Sequence, residues 1–322
     1  MPNVVFFTNR TPELATLLTR HAPPGFEVSV HSSALPDSAK LPLVEVADFL
    51  ILFPGQLSEP VLRAARNVRL IQLVGAGFDQ MNLTLCRELG IPVANNGGAN
   101  AVDVAEHTLA LILAVYRRLV EMDANVRGER WHAIDSGMTT FTIHGKTAGL
   151  VGLGNIGRRV ADLLRAFGAQ VIYADAYPAP PAIEAELGAR RVELDELLAQ
   201  ADIVSLHVPL NDATRHLIGP AELARMKPTA ILINTCRGPV VDEAALAVAL
   251  ADALRDSHIA GAGLDVLEQE PPDPANPLLG LPNVVLTPHT AGVTYDTWPR
   301  RGEFIFRNLE RVWQGEAPLA AV

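Results

Sequence analysis

The feature that most constrains this chain is Gly152-Leu153-Gly154-Asn155-Ile156-Gly157, which follows the apolar run Thr147–Val151 and precedes the helical pattern Arg158–Phe167. A strand, a glycine turn and a helix in that order form a cradle for phosphate. One glycine permits the tight turn, one lets backbone approach a pyrophosphate, and one lets helix pack on strand. The helix start adds free N–H groups and a positive partial charge. The cofactor-binding candidates are therefore Gly152, Gly154, Asn155, Ile156 and Gly157. Asp175 falls at the end of the next apolar run, about 20 residues on, where a carboxylate accepts bonds from the adenosine ribose. Taken alone it reads equally well as a turn residue ahead of Pro178. With the glycine turn in place it points to NAD, because a carboxylate repels the 2′-phosphate of NADP.

Around this motif, short β-branched runs alternate with helical spacing along the whole chain, the pattern of parallel α/β architecture. The first hundred residues offer strands at Val4–Thr8, Glu27–Val30, Phe49–Phe53, Leu70–Val74 and Val93–Ala94. One long helix is expected from near Asn100 to about Arg127, with Asp103 and Glu106 as a capping box. A second series of six strands follows: Thr147–Val151, Gln170–Ala174, Ile203–His207, Ala230–Asn234, Ala260–Asp265 and Val284–Thr287. The tail after Ala291 has helical spacing and is expected to return to the first domain. The expectation is an α/β chain of two domains, a Rossmann-type doubly wound NAD domain (residues 100–290) inserted in a smaller flavodoxin-like α/β substrate domain (1–99 and 291–322).

Bulk properties narrow the function classes. At 322 residues the chain has room for two cores. A net charge of −10 argues against nucleic-acid or anionic-membrane partners, which need a positive field. No apolar run is long enough to span a membrane, and Met1-Pro2-Asn3 opens no signal peptide. The two cysteines, Cys86 and Cys236, form no zinc-ligand spacing, so no metal is expected and the cytoplasm is the expected compartment. No G-x-S-x-G or P-loop string occurs, which excludes the common hydrolase and P-loop readings.

Several short stretches, in order, are matched together. They are Val74-Gly75-Ala76-Gly77-Phe78-Asp79, Asn100 with Val104-Ala105-Glu106-His107, Gly152–Gly157 with Asp175, and Ser205-Leu206-His207-Val208-Pro209-Leu210. Asn234-Thr235-Cys236-Arg237-Gly238, Leu264-Asp265-Val266 running to Glu270-Pro271, and Thr287-Pro288-His289 complete them. In these the chain resembles the D-isomer-specific 2-hydroxyacid dehydrogenases, which include phosphoglycerate, glyoxylate/hydroxypyruvate and D-lactate dehydrogenases. The resemblance implies hydride transfer between NAD(H) and a 2-keto or 2-hydroxy acid.

The resemblance also implies roles that chemistry supports. Arg237 has a planar fork suited to a bidentate hold on a keto acid. His289 passes a proton to or from the carbonyl oxygen, and Glu270 holds the imidazole and favours its charged form. Asp265 bonds the nicotinamide carboxamide, while His207, Pro209, Thr235 and Cys236 line the cofactor groove. Gly75, Ala76 and Gly77 offer a backbone nest for the substrate carboxylate. Asn100 reads as a substrate contact or a helix N-cap. Cys236 stands where the family more often has Ala or Ser, which raises the expectation of oxidant sensitivity. Family members pair through the cofactor domain, so a homodimer is expected, with its arm near Trp131. Two alternatives stay open: a non-catalytic NAD-sensing regulator of the same fold, and a 3-phosphoglycerate dehydrogenase without a regulatory domain. Formate dehydrogenases carry Gln in place of Glu270 and phosphite dehydrogenases a Lys near Ala76; neither occurs here.

Overall fold

Strand and helix alternate from the N-terminus: β1 (Asn3–Thr8), α1 (Pro12–Thr19), β2 (Glu27–His31), α2 (Asp37–Glu45), β3 (Phe49–Phe53), α3 (Glu59–Ala64), β4 (Leu70–Leu73), α4 (Leu83–Glu88) and β5 (Val93–Ala94). The computed structural model describes residues 1–131, 135–252 and 259–322. These five strands form one parallel sheet in the order β2-β1-β3-β4-β5. Their side chains alternate between two cores. Phe6, Phe49, Ile51 and Leu70 join one cluster, while Phe7, Leu50, Leu52 and Ile71 join the other, so both faces are covered.

The chain continues through α5 (Ala101–Tyr116), α6 (Leu119–Arg127), β6 (Thr147–Val151), α7 (Asn155–Ala166), β7 (Gln170–Ala174), α8 (Pro181–Leu187), β8 (Ala189–Arg191), α9 (Leu194–Gln200), β9 (Ile203–Leu206), α10 (Pro220–Arg225), β10 (Ile231–Asn234), α11 (Glu243–Asp252), β11 (Gly261–Leu264) and β12 (Val284–Leu286). This sheet is also parallel, in the order β12-β11-β10-β9-β6-β7-β8. The strand order reverses direction between β6 and β9, which is where doubly wound sheets bind ligands at their carboxyl edge. The last helix, α12 (Thr297–Trp313), packs on α1. Two compact units result: residues 1–100 with 293–322, and residues 101–292.

Buried polar pairing fixes α12 in the first unit. The Gln72 amide donates to the carbonyls of Leu73, Ala94 and Asn95, and its oxygen accepts from Asn308 Nδ2 at 2.7 Å. In the second unit α5 lies close over β11. A Cβ at Gly263 would stand 3.0 Å from Leu111 Cβ, and one at Gly261 3.0 Å from Val115 Cγ1. Side chains at those two strand positions would push the helix away.

Three expectations are corrected. The long helix is two helices, broken at Arg117-Arg118, where Arg118 adopts φ 48° and pairs with Glu121 at 2.5 Å. The apolar spacing runs on through the break, but α6 buries none of its residues. Asp103 is the third residue of α5, buried inside the first turn, rather than the residue that precedes the helix. The second sheet has seven strands rather than six, β8 being a three-residue edge strand with two exposed arginines.

Candidate active site

Each strand of the second unit from β6 onward, β8 apart, delivers a candidate residue at its carboxyl end. Beyond β6, Gly152 turns with φ 97°, and a Cβ on it would lie 2.7 Å from the His207 carbonyl oxygen. A Cβ at Gly157 would lie 2.2 Å from the Gly152 oxygen, so that glycine lets α7 seat on the turn. At Gly154 a Cβ would meet nothing within 4 Å. The open side of the loop is thus at Gly154, and the helix begins at Asn155, inside the motif and earlier than the spacing predicts. The uncapped first-turn amides of Asn155 and Ile156 face no side-chain cap, as an anion site at a helix start requires.

Asp175 follows β7, and both of its carboxylate oxygens accept backbone amides. Its Oδ2 accepts the N–H of Leu153 at 2.8 Å and its Oδ1 accepts that of Tyr177 at 3.0 Å. The carboxylate therefore pins the glycine turn as well as its own loop. These residues fit a dinucleotide: an open glycine, a helix start and an acceptor-rich carboxylate stand together at the switch in strand order.

His207, beyond β9, bonds Ser205 Oγ through Nε2 at 2.9 Å, while its Nδ1 is buried with no partner among the described residues. Burial pushes this imidazole down to about 3, so it is neutral at ordinary pH. Pro209, exposed, gives its carbonyl to Thr214 Oγ1 at 2.6 Å.

Beyond β10 the backbone is tied by Asn234. Its Oδ1 accepts from Cys236 N at 3.0 Å and Cys236 Sγ at 3.1 Å, and its Nδ2 donates to the Arg237 carbonyl at 2.9 Å. Arg237 Nη1 donates to the Cys236 carbonyl at 2.6 Å. Burial pushes the Cys236 thiol up to about 11 against the opposing pull of Arg237. A buried, protonated thiol is a poor nucleophile, which argues against the oxidant sensitivity its position suggested. Gly238 must be glycine, because a Cβ there would stand 2.0 Å from the Leu267 backbone. That close approach brings the Arg237 turn against the loop carrying Glu270.

Asp265, buried beyond β11, is an organising carboxylate. Its Oδ1 accepts from Thr287 Oγ1 at 2.6 Å and Thr290 N at 2.8 Å, and its Oδ2 from Ala291 N at 2.8 Å. Its carbonyl accepts the N–H of His289 at 2.7 Å. His289 itself is held at φ 55°, a left-handed conformation uncommon for a side-chain-bearing residue. Its Nδ1 meets Glu270 Oε2 at 2.7 Å, and Glu270 Oε1 accepts Leu267 N at 3.2 Å. Burial alone would raise the Glu270 carboxyl. The His289 contact, the Leu267 amide and the Arg237 charge outweigh it and hold the group below its ordinary value. Glu270 and His289 are thus in contact, and Arg237 is close enough for its charge to act on Glu270.

In the first unit, Gly75 and Ala76 follow β4, and their carbonyls accept from Asn96 N at 3.1 Å and Asn95 Nδ2 at 3.0 Å. In a trans peptide the N–H points opposite the carbonyl, so the amides of Ala76 and Gly77 face away from those partners. Neither Gly75 nor Gly77 has positive φ, so any nest here has the form of a turn rather than an αR–αL pair. Asn100 is buried, and its Oδ1 accepts from Asn96 Nδ2 at 3.0 Å.

Residues 109–291 match the D-isomer specific 2-hydroxyacid dehydrogenase, NAD binding domain, family. A glyoxylate reductase from Aeropyrum pernix is 40% identical over 98% of this chain and 94% of its own. The chain belongs to this family. A second glyoxylate reductase, from Korarchaeum cryptofilum, is 38% identical over 98% of this chain and 94% of its own. Among solved structures, the NAD-complexed D-isomer specific 2-hydroxyacid dehydrogenase of Lactobacillus delbrueckii ssp. bulgaricus superposes with a TM-score of 0.82, at 29% identity and 99% coverage of both chains. The protein is accordingly an NAD-dependent oxidoreductase acting between 2-keto and 2-hydroxy acids. Among the described residues no helix is long and apolar enough to cross a membrane.

Two residues near this site carry no role in the sequence reading. His107 is 2.9 Å from Thr287 Oγ1, and its neighbour Thr108 is 3.0 Å from Thr235 Oγ1. Both lie within α5, and although His107 closes one of the stretches that carry the resemblance, no role attaches to it there.

Proposed function

We propose that this dehydrogenase reduces a short 2-keto acid, glyoxylate foremost, with Arg237, Glu270 and His289 as its catalytic residues. The observation that carries the reading is the 2.7 Å contact between His289 Nδ1 and Glu270 Oε2, within reach of the Arg237 charge. With Nδ1 held by the carboxylate, His289 presents Nε2 to the substrate oxygen as proton donor in reduction and acceptor in oxidation. Arg237 binds the keto acid through its fork and offsets the charge that develops on the carbonyl oxygen. NAD(H) supplies the hydride; the Gly152–Gly157 turn with Asp175 holds its pyrophosphate and ribose. Asp265, whose oxygens are engaged by the 287–291 loop, orders that backbone and would accept from the nicotinamide carboxamide only as an added donor. His207, Pro209, Thr235 and Cys236 line the same edge.

Residues 1–100 and 293–322 act as the substrate domain. Ala76 and Gly77 offer their amides to the substrate carboxylate, with Asn100 beside them. The two glyoxylate reductase relatives support the choice of substrate. A homodimer is proposed from the exposed apolar residues Leu119, Val120, Val126, Trp131 and Met138; residues 132–134, next to Trp131, lie outside those described. A cytoplasmic location goes with it. The test is NADH oxidation against glyoxylate, hydroxypyruvate, pyruvate, phenylpyruvate and branched 2-keto acids. Glyoxylate should give the highest kcat/KM, and failure of every acid to oxidise NADH would overturn the proposal.

A further inference from the structure

The geometry points to His107 and Thr108, adjacent on α5, as positioning residues that set Arg237 and His289 in register. The inference rests on the catalytic reading of Arg237 and His289 given above.

Thr235 lies two residues before Arg237 and Thr287 two residues before His289, so each threonine marks the root of a catalytic turn. Proton counting fixes how the helix grips them. The Asp265 carboxylate is an acceptor only, so the 2.6 Å contact from Thr287 Oγ1 uses that hydroxyl's single proton. The same oxygen can then only accept from His107 Nε2 at 2.9 Å, which places the His107 proton on Nε2. On the other root, Thr108 Oγ1 gives its proton to the Val104 carbonyl at 2.7 Å. The hydroxyl of Thr235 must therefore donate to Thr108 Oγ1 at 3.0 Å.

The grip is rigid because α5 itself is fixed. Leu111 and Val115, one and two turns further on, press on the side-chain-free strand positions Gly263 and Gly261. Thr108 and Thr235 are buried, and Asp265 Oδ1 is 3.6 Å from His107 Nε2. One rigid helix thus holds two strand ends whose side chains must meet one substrate, and errors well under an ångström at such roots degrade alignment.

The test uses the whole enzyme and keeps binding apart from turnover. His107→Leu should lower kcat at least tenfold, while NADH affinity, read from nucleotide fluorescence, stays within twofold. His107→Gln, which restores an N–H near the Nε2 position, should recover the rate to within about threefold of wild type. Thr108→Val should repeat the same split. Nitrogen NMR of the wild type, assigned by the signal lost in His107→Gln, should show a proton on Nε2. Wild-type kcat in a folded His107→Leu variant would overturn the inference, as would no rescue by His107→Gln or a bare Nε2. The NMR assignment needs only His107→Gln to fold, and its reading is independent of turnover. If the wild type turns over none of the acids, the catalytic reading fails, while the NMR result still tells whether His107 grips Thr287.

Discussion

The backbone N–H of His289 donates to the Asp265 carbonyl over 2.7 Å, and the Asp265 carboxylate takes the next two amides, those of Thr290 and Ala291. One buried residue therefore holds the segment on which His289 sits at positive φ. Asp265→Asn would turn an NH2 group toward one of these donors and leave it unsatisfied. The expected loss of stability is ~2 kcal/mol, from the cost of a buried donor without a partner. Urea unfolding measures it; a midpoint equal to that of the wild type would show that the loop holds by other means.

Arg237→Lys keeps the charge and loses the planar fork. If the fork clamps the keto acid, kcat/KM should drop at least tenfold, about 1.4 kcal/mol of transition-state binding. NADH affinity should stay the same, because the glycine turn and Asp175, proposed to hold the pyrophosphate and ribose, are not touched. Unchanged kcat/KM would remove Arg237 from the substrate.

Asp175→Ser removes two acceptors at once, one for Leu153 N–H in the glycine turn and one for Tyr177 N–H. Binding of NADH should weaken for lack of both the ribose contact and the pinned turn. NADPH should gain only relative to NADH, as the repelling charge is gone. Fluorescence titration of both nucleotides reports the ratio; an unaltered ratio would contradict the role of the carboxylate.

How much of this could be read from the sequence depended on whether a residue's local signal matched its environment. Strands β1, β3, β6 and β7 were legible because apolar residues fill both faces of a parallel sheet. β8 was not, since Ala189–Arg191 is a short edge strand whose two arginines face solvent. The break at Arg118 was hidden because a left-handed arginine carries no glycine signal and the apolar spacing continues to Val126. In the site, the glycine turn and Asp175 were legible from spacing, and the pairing of Glu270 with His289 from family resemblance. The bond by which Asp175 pins the glycine turn and the contacts of His107 and Thr108 were not. They rest on hydrogen bonds between residues up to 180 positions apart.

His207 gives a pH dependence of stability. Its ordinary value of 6.5 is pushed down by burial to about 3 in the folded protein. Between those values the unfolded chain takes a proton that the folded protein refuses, so stability falls as pH decreases through that window. His207→Gln removes the titration and keeps an amide that can donate to or accept from Ser205 Oγ. The drop in Tm between about pH 8 and about pH 5 should be smaller in the variant than in the wild type. Equal drops would mean that His207 is protonated alike in both states.

The central claim is that His289, held by Glu270, moves the proton that accompanies hydride transfer. His289→Gln keeps a side chain of similar reach and abolishes proton transfer. The decisive measurement is the steady-state kcat for NADH-dependent glyoxylate reduction by wild type and variant, alongside NADH affinity. The account predicts a loss of about 10²- to 10⁴-fold in kcat, as for removal of a general acid, with NADH affinity unchanged. A variant that keeps kcat within threefold of the wild type would contradict it.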